Sequence, residues 1–160
     1  MASIEKNLSQ VSVQPEAKVS TRKFGIVVSE WNTDVTESLF EGAFSTLIKA
    51  GVSKENILRW DVPGSFELTL GAQWMAQKEA IDAVIALGCV IQGETKHFDF
   101  ICQAVASGIT DVGLKYNKPV IFGVLTTNDK KQAMERAGGK HGNKGDEAAA
   151  TALNMLAIKR

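Results

Sequence analysis

Four short apolar runs punctuate this chain, and between them apolar residues recur at helical spacing. The runs are Phe24-Gly25-Ile26-Val27-Val28-Ser29, Ile57-Leu58-Arg59-Trp60-Asp61-Val62, Ala83-Val84-Ile85-Ala86-Leu87-Gly88-Cys89-Val90-Ile91 and Pro119-Val120-Ile121-Phe122-Gly123-Val124-Leu125. The first and third are apolar at almost every position, as strands covered on both faces are. After the first run, Thr33-Asp34 supply a cap, and Leu39, Ala43, Phe44, Leu47 and Ile48 mark one helical face. Gly51 closes that helix. Further helices are predicted over 66–77, 98–114, 130–137 and 144–158. Pro63-Gly64 ends the second strand, Thr126-Thr127-Asn128 reads as a turn, and Gly138-Gly139-Lys140-His141-Gly142-Asn143 as a glycine-rich loop. Residues 1–22 are polar and without period: an N-terminal arm, disordered alone or ordered against a neighbour. The remainder, 23–160, reads as a single domain.

Strands that alternate with helices pair in parallel. The expected fold class is therefore α/β: a three-layer α/β/α sandwich with a central four-stranded parallel sheet. Lys plus Arg and Asp plus Glu both number 18, giving zero formal charge. That argues against nucleic acid or an anionic membrane as partner and removes one deterrent to self-association. The two cysteines, Cys89 and Cys102, fall on a predicted strand and helix and read as core-type thiols of a reducing compartment. No Cys/His grouping has zinc spacing. No apolar run is long enough to span a bilayer, and the N-terminus is polar rather than signal-like, so a soluble, cytoplasmic protein is expected.

In a parallel sheet the carboxyl ends of all strands lie on one edge, so residues there converge. The first end offers Ser29-Glu30-Trp31-Asn32, the second Pro63-Gly64-Ser65-Phe66-Glu67, the third Gly93-Glu94-Thr95-Lys96-His97, and the fourth Phe122 with Thr126-Thr127. Trp31 is either a half-buried surface anchor or a plate on which a flat heterocycle stacks. Glu67 either caps the second helix or accepts a hydrogen bond from a ligand. His97, with an imidazole that titrates near neutrality, suits proton transfer. Arg136 lies near the end of a short helix. It either answers the helix dipole or, through its planar fork, holds a phosphate. Lys140 and Lys144 flank the glycine-rich loop as solvated cations or as added positive potential. Ser65 lacks the Gly-x-Ser-x-Gly setting of a nucleophile.

Four segments together resemble the lumazine synthases: Val62-Pro63-Gly64-Ser65-Phe66-Glu67, Gly93-Glu94-Thr95-Lys96-His97-Phe98-Asp99, Pro119 to Thr127, and Glu135-Arg136-Ala137-Gly138-Gly139-Lys140-His141-Gly142-Asn143-Lys144-Gly145. The resemblance runs from about Phe24 to the C-terminus in the family's order and spacing. It implies a flavodoxin-like fold and the penultimate step of riboflavin biosynthesis, without cofactor or metal. In that step 5-amino-6-(D-ribitylamino)uracil condenses with 3,4-dihydroxy-2-butanone 4-phosphate to 6,7-dimethyl-8-ribityllumazine, phosphate and water. By the same resemblance Trp31 stacks on the pyrimidine, and Ser65, Phe66 and Glu67 read the ribityl chain and ring. Cys89, Val90 and Ile91 lie beside the heterocycle, Glu94 and Thr95 form the phosphate-side turn, and His97 is the proton donor. Phe122 and Arg136 enter the site from an adjacent subunit, Arg136 on the phosphate with Lys144 nearby.

Three positions depart from the family pattern: Gln92 where Arg is common, Thr69 where Pro is common, and Cys89 where a small residue is common. The resemblance also implies a homo-oligomer. The family forms pentamers, many of them packed by twelve into an icosahedral shell that leaves room for association with riboflavin synthase. The short connection from Gly138 to Gly145 resembles that of shell-forming members. Two other classes stay open on sequence: a flavin- or nucleotide-binding module without turnover, and a shell protein that has lost catalysis.

Overall fold

The computed structural model describes residues 6–15 and 17–158. One parallel sheet holds β1 (Phe24–Ser29), β2 (Ile57–Val62), β3 (Ala83–Ile91) and β4 (Val120–Thr127) in the lateral order β2-β1-β3-β4. The chain moves outward from β1 to β2, then crosses back to place β3 on β1's other side. That reversal makes the junction of β1 and β3 a topological switch point, as in flavodoxin-like sheets.

Alternation along the strands divides the core into two halves. One face carries Ile26, Val28, Ile85 and Leu87 against Leu39 and Leu47 of α1 (Thr33–Lys49) and Leu153 and Leu156 of α5 (Lys144–Ile158). The other carries Val27, Val84 and Ala86 against Leu68 and Met75 of α2 (Leu68–Ala76) and Val105 and Ile109 of α3 (His97–Tyr116). The three layers are those expected. Helix α1 ends as read: Gly51, at φ +100°, donates to Ile48 O, and Val52 donates to Leu47 O, a left-handed closure that glycine takes without Cβ strain.

Several local expectations are corrected. The residue before α1 is Asn32, in the left-handed region at φ 63°, and neither Thr33 nor Asp34 caps the helix: Thr33 Oγ1 donates back to Glu30 O. Thr126 and Thr127 are not a turn but the last residues of β4, paired with Val90 and Ile91. Phe122 therefore lies in mid-strand opposite Ala86, not at the strand end. The short helix α4 covers Lys130–Glu135. The glycine-rich loop after it is an antiparallel hairpin of β5 (Ala137–Gly139) and β6 (Gly142–Asn143).

Residues 6–15 of the arm run along their own chain. Leu8 donates from its amide to His141 O, and Asn154 grips the arm twice, accepting from Gln14 N–H at 2.8 Å and donating to Ser12 O at 2.9 Å. The part of the arm read at residues 1–5 lies outside the described residues.

Candidate active site

At the switch point the strand ends diverge and leave a cleft of about 630 Å³. Trp31 and Asn32 after β1 form one wall, Gly64 to Glu67 after β2 a second, Cys89 to Ile91 at the end of β3 a third, and His97 with Ile101 on α3 the fourth. Eight residues singled out in the sequence thus meet in one place: Trp31, Ser65, Phe66, Glu67, Cys89, Val90, Ile91 and His97. Asn32 and Gly64, read at the first and second strand ends, line it too, and Ile101 joins them without having been anticipated. Ile101 was within reach of a helical argument, since it sits one turn beyond His97 and shares its face.

Backbone bonds fix the walls to one another. Glu30 and Trp31 donate from their amides to Val62 O and Pro63 O, tying the first turn to the second. Asn32 Nδ2 donates to Cys89 O at 3.1 Å, tying it to the third. The left-handed backbone at Asn32, which Asn tolerates better than most residues, is what turns its side chain toward β3. Trp31 itself is 73% exposed, so an indole face is open to a planar ligand and not spent on the core.

Ser65, read as part of the segment facing the ribityl chain and ring, stands on the cleft wall. Its hydroxyl is buried and has no hydrogen-bond partner among the described residues; the same holds for Ser29 Oγ. Both hydroxyls lie over Gly88, where an added Cβ would come within 2.8 Å of Ser65 Oγ and 3.3 Å of Ser29 Oγ. The Ser65 hydroxyl is thus directed at Gly88 and Ser29. Burial, with the Asp34 carboxylate adding to it, pushes the Cys89 thiol up to about 11, so Cys89 is a neutral, apolar wall and not a nucleophile. Cys102, read as a core thiol, is only half buried; both cysteines are free.

His97 is the first residue of α3, and its amide faces Thr95 Oγ1 at 3.4 Å. Glu94 and Thr95 form the exposed turn just before it and do not line the cleft. Three further expected residues are also absent from it as one chain builds it. Phe122 packs half buried on the α2/α3 side of β4. Arg136 closes α4, its guanidinium donating to Gln132 O at 3.0 Å. Lys144 opens α5 paired with Glu147 at 2.8 Å. Among the described residues, no Lys or Arg stands on the cleft wall.

A phosphate-bearing ligand held here by one chain alone would meet no cation of that wall. Among the described residues, no group of three or more His, Cys, Asp or Glu is arranged to hold a metal. None of the described helices is long and apolar enough to cross a membrane.

Comparison with known proteins places the cleft in context. Residues 21–160 match the family model described as 6,7-dimethyl-8-ribityllumazine synthase. A protein of that name from Cytophaga hutchinsonii is 66% identical over 157 residues, covering 98% of both chains. Another from Christiangramia forsetii is 53% identical over 161 residues, covering all of this chain and 96% of the relative. A third, from Porphyromonas gingivalis, is 51% identical over 160 residues. Matches of this extent leave no segment of the sheet or cleft outside the alignment, and the chain belongs to the 6,7-dimethyl-8-ribityllumazine synthase family of enzymes.

Proposed function

We propose that the chain catalyses the condensation of 5-amino-6-(D-ribitylamino)uracil with 3,4-dihydroxy-2-butanone 4-phosphate to 6,7-dimethyl-8-ribityllumazine, a step of riboflavin biosynthesis in the cytoplasm. The observation that carries this reading is the convergence of Trp31, the turn 64–67, the β3 end 89–91 and His97 on one switch-point cleft, in a chain of this family. The uracil stacks on the open face of Trp31 while the backbone of the second and third turns reads its edges; aromatic–base stacking contributes about 1–3 kcal/mol. Glu67 faces the ribityl hydroxyls. The 5-amino group attacks the ketone to give a carbinolamine, which loses water to an imine. Phosphate then leaves, the enol tautomerises, and the ribitylamino nitrogen closes the ring with loss of a second water. These are additions, eliminations and proton transfers that call on no cofactor or metal. His97 carries the protons, an effect that typically contributes about 10²–10⁴-fold, and holding the two reactants together supplies much of the rest.

The phosphate end needs a cation, and the cleft wall has none. Arg136, with Lys144, meets that need when lent by an adjacent subunit, together with Phe122. Such an assembly would also give cover to apolar side chains exposed on the α2 and α3 surface, Leu70, Trp74, Phe100 and Leu114. We take the assembly to be a pentamer, further packed into an icosahedral shell.

The test mixes both substrates with the protein and follows lumazine fluorescence and phosphate release against the spontaneous reaction. Joint acceleration of the two signals is expected. A protein that retains a tightly bound flavin and leaves both rates at background would instead be a binding module.

A further inference from the structure

We propose that residues Asn7–Ser9 of the N-terminal arm latch the β5–β6 hairpin and so position Arg136 for the phosphate-bearing substrate; this rests on the phosphate role given to Arg136 above. The hairpin is weak by itself. Three residues face two, the register is irregular between Ala137 and Gly139, and a two-stranded ribbon is marginally stable in water at best. Yet it follows Arg136 and precedes Lys144, so its placement governs how both cations leave the fold.

Braces reach it from inside the domain. His141 N–H donates to Glu135 O, Lys144 N–H donates to Arg136 O, and Asn143 Nδ2 donates to Ser38 O of α1. The Glu135 carboxylate gathers Lys140 at 3.1 Å and, more loosely, His141 at 3.9 Å and Arg136 at 4.0 Å. A shift of the hairpin tip therefore changes what Glu135 holds, and with it the restraint on the neighbouring guanidinium.

The arm braces the same hairpin from outside. Leu8 N–H donates to His141 O at 2.8 Å, and Asn143 N–H donates to Ser9 Oγ at 3.0 Å. Asn7 shapes the donor turn, its Oδ1 accepting from Ser9 N–H and its carbonyl from Gln10 N–H. Leu8 is only 8% exposed, so the contact is apolar as well as polar. The hairpin is fitted to this visitor. Gly142 sits at φ +80°, and a Cβ there would fall 2.2 Å from Asn7 Oδ1 and 2.8 Å from Ser9 N. Only glycine admits the arm's backbone at that approach.

Ser9→Ala and Leu8→Ala test this, with KM read separately for each substrate. The KM of the butanone phosphate should rise about threefold to tenfold, the range of one lost hydrogen bond. The KM of the uracil and the turnover at saturation should move by less than about twofold, a split that general loss of structure would not produce. Ser9→Thr, which keeps the hydroxyl, should restore the parental value. Hydrogen exchange at the amides of 137–143 should quicken in Ser9→Ala, whether or not the enzyme is turning over. Unchanged exchange, or equal changes in both KM values, overturns the latch. Arg136→Ala separates the two layers: if it raises the phosphate-substrate KM while the arm variants do not, the latch fails and the site reading stands. If Arg136→Ala leaves that KM alone, the site reading fails first and takes the latch with it.

Discussion

His97 opens α3, where the first amides of a helix lack intrahelical acceptors. That position leaves its imidazole on the cleft wall while the backbone turns to Thr95 Oγ1. Replacing it with alanine removes the proton carrier but not the walls that hold the reactants, so kcat should fall by about 10²-fold and stop above the uncatalysed rate. Steady-state fluorescence kinetics checks this, and a variant at parental speed would reassign the proton transfers. Cys89 stands at the opposite chemical extreme on the same wall. Its thiol is buried and pushed up to about 11, so the nucleophilic thiolate is scarce at neutral pH. Iodoacetamide at pH 7 should label the half-buried Cys102 before Cys89, read by peptide mass spectrometry. Labelling of Cys89 first would mean that the β3 end opens.

At the scale of elements, strand β2 lies at the sheet edge, and charge secures it. Arg59 donates both to Glu37 of α1 and to Asp61 beside it, while its guanidinium stacks 4.3 Å from the Phe40 ring. The bond from Arg59 holds the Glu37 carboxyl below its ordinary 4.5. A lowered folded-state carboxyl contributes stability above the unfolded value and loses it as pH falls through the folded one. Thermal midpoints of the parent should therefore decline from about pH 5 downward, and Glu37→Gln should flatten that decline while starting lower at neutral pH. Parallel curves for the two proteins would remove the pair from the account.

What the chain discloses of these elements follows their chemistry. Strands β1 and β3 are legible because burial on both faces demands unbroken apolar runs, and α1 because its apolar stripe and Gly51 agree. The β5–β6 hairpin is not, since Ala137-Gly138-Gly139 offers no alternation of side chains and its partner is two residues long. The end of β4 is missed for a related reason: Thr126 and Thr127 look like turn residues until Val90 and Ile91 pair with them. The cleft is legible wherever a residue sits on a strand end. The inward hydroxyl of Ser65 is not, because rotamer choice depends on Gly88 and Ser29, which are remote in sequence.

At the scale of the whole molecule, the distribution of charge decides how many chains make one site. The cleft presents an aromatic plate, backbone donors, a carboxylate and His97, and every cation assigned to the phosphate lies elsewhere on the same chain. If the guanidinium arrives from a neighbour, His97 and Arg136 of one working site belong to different chains, and two impaired variants can repair each other. Co-expressed His97→Ala and Arg136→Ala chains, assembling at random in a cyclic oligomer, pair an intact His97 with an intact neighbouring Arg136 in about a quarter of sites. With the butanone phosphate kept well below saturation, where both single variants are slow, the mixture should turn over at about a quarter of the parental rate, well above either variant alone, with assembly confirmed by light scattering. Activity equal to the mean of the two variants would place both residues in one chain's site, which would require Arg136 to leave Gln132 and travel to its own cleft. The same measurement bears on the arm, because a latch that orients Arg136 in one chain would then act on catalysis in the next.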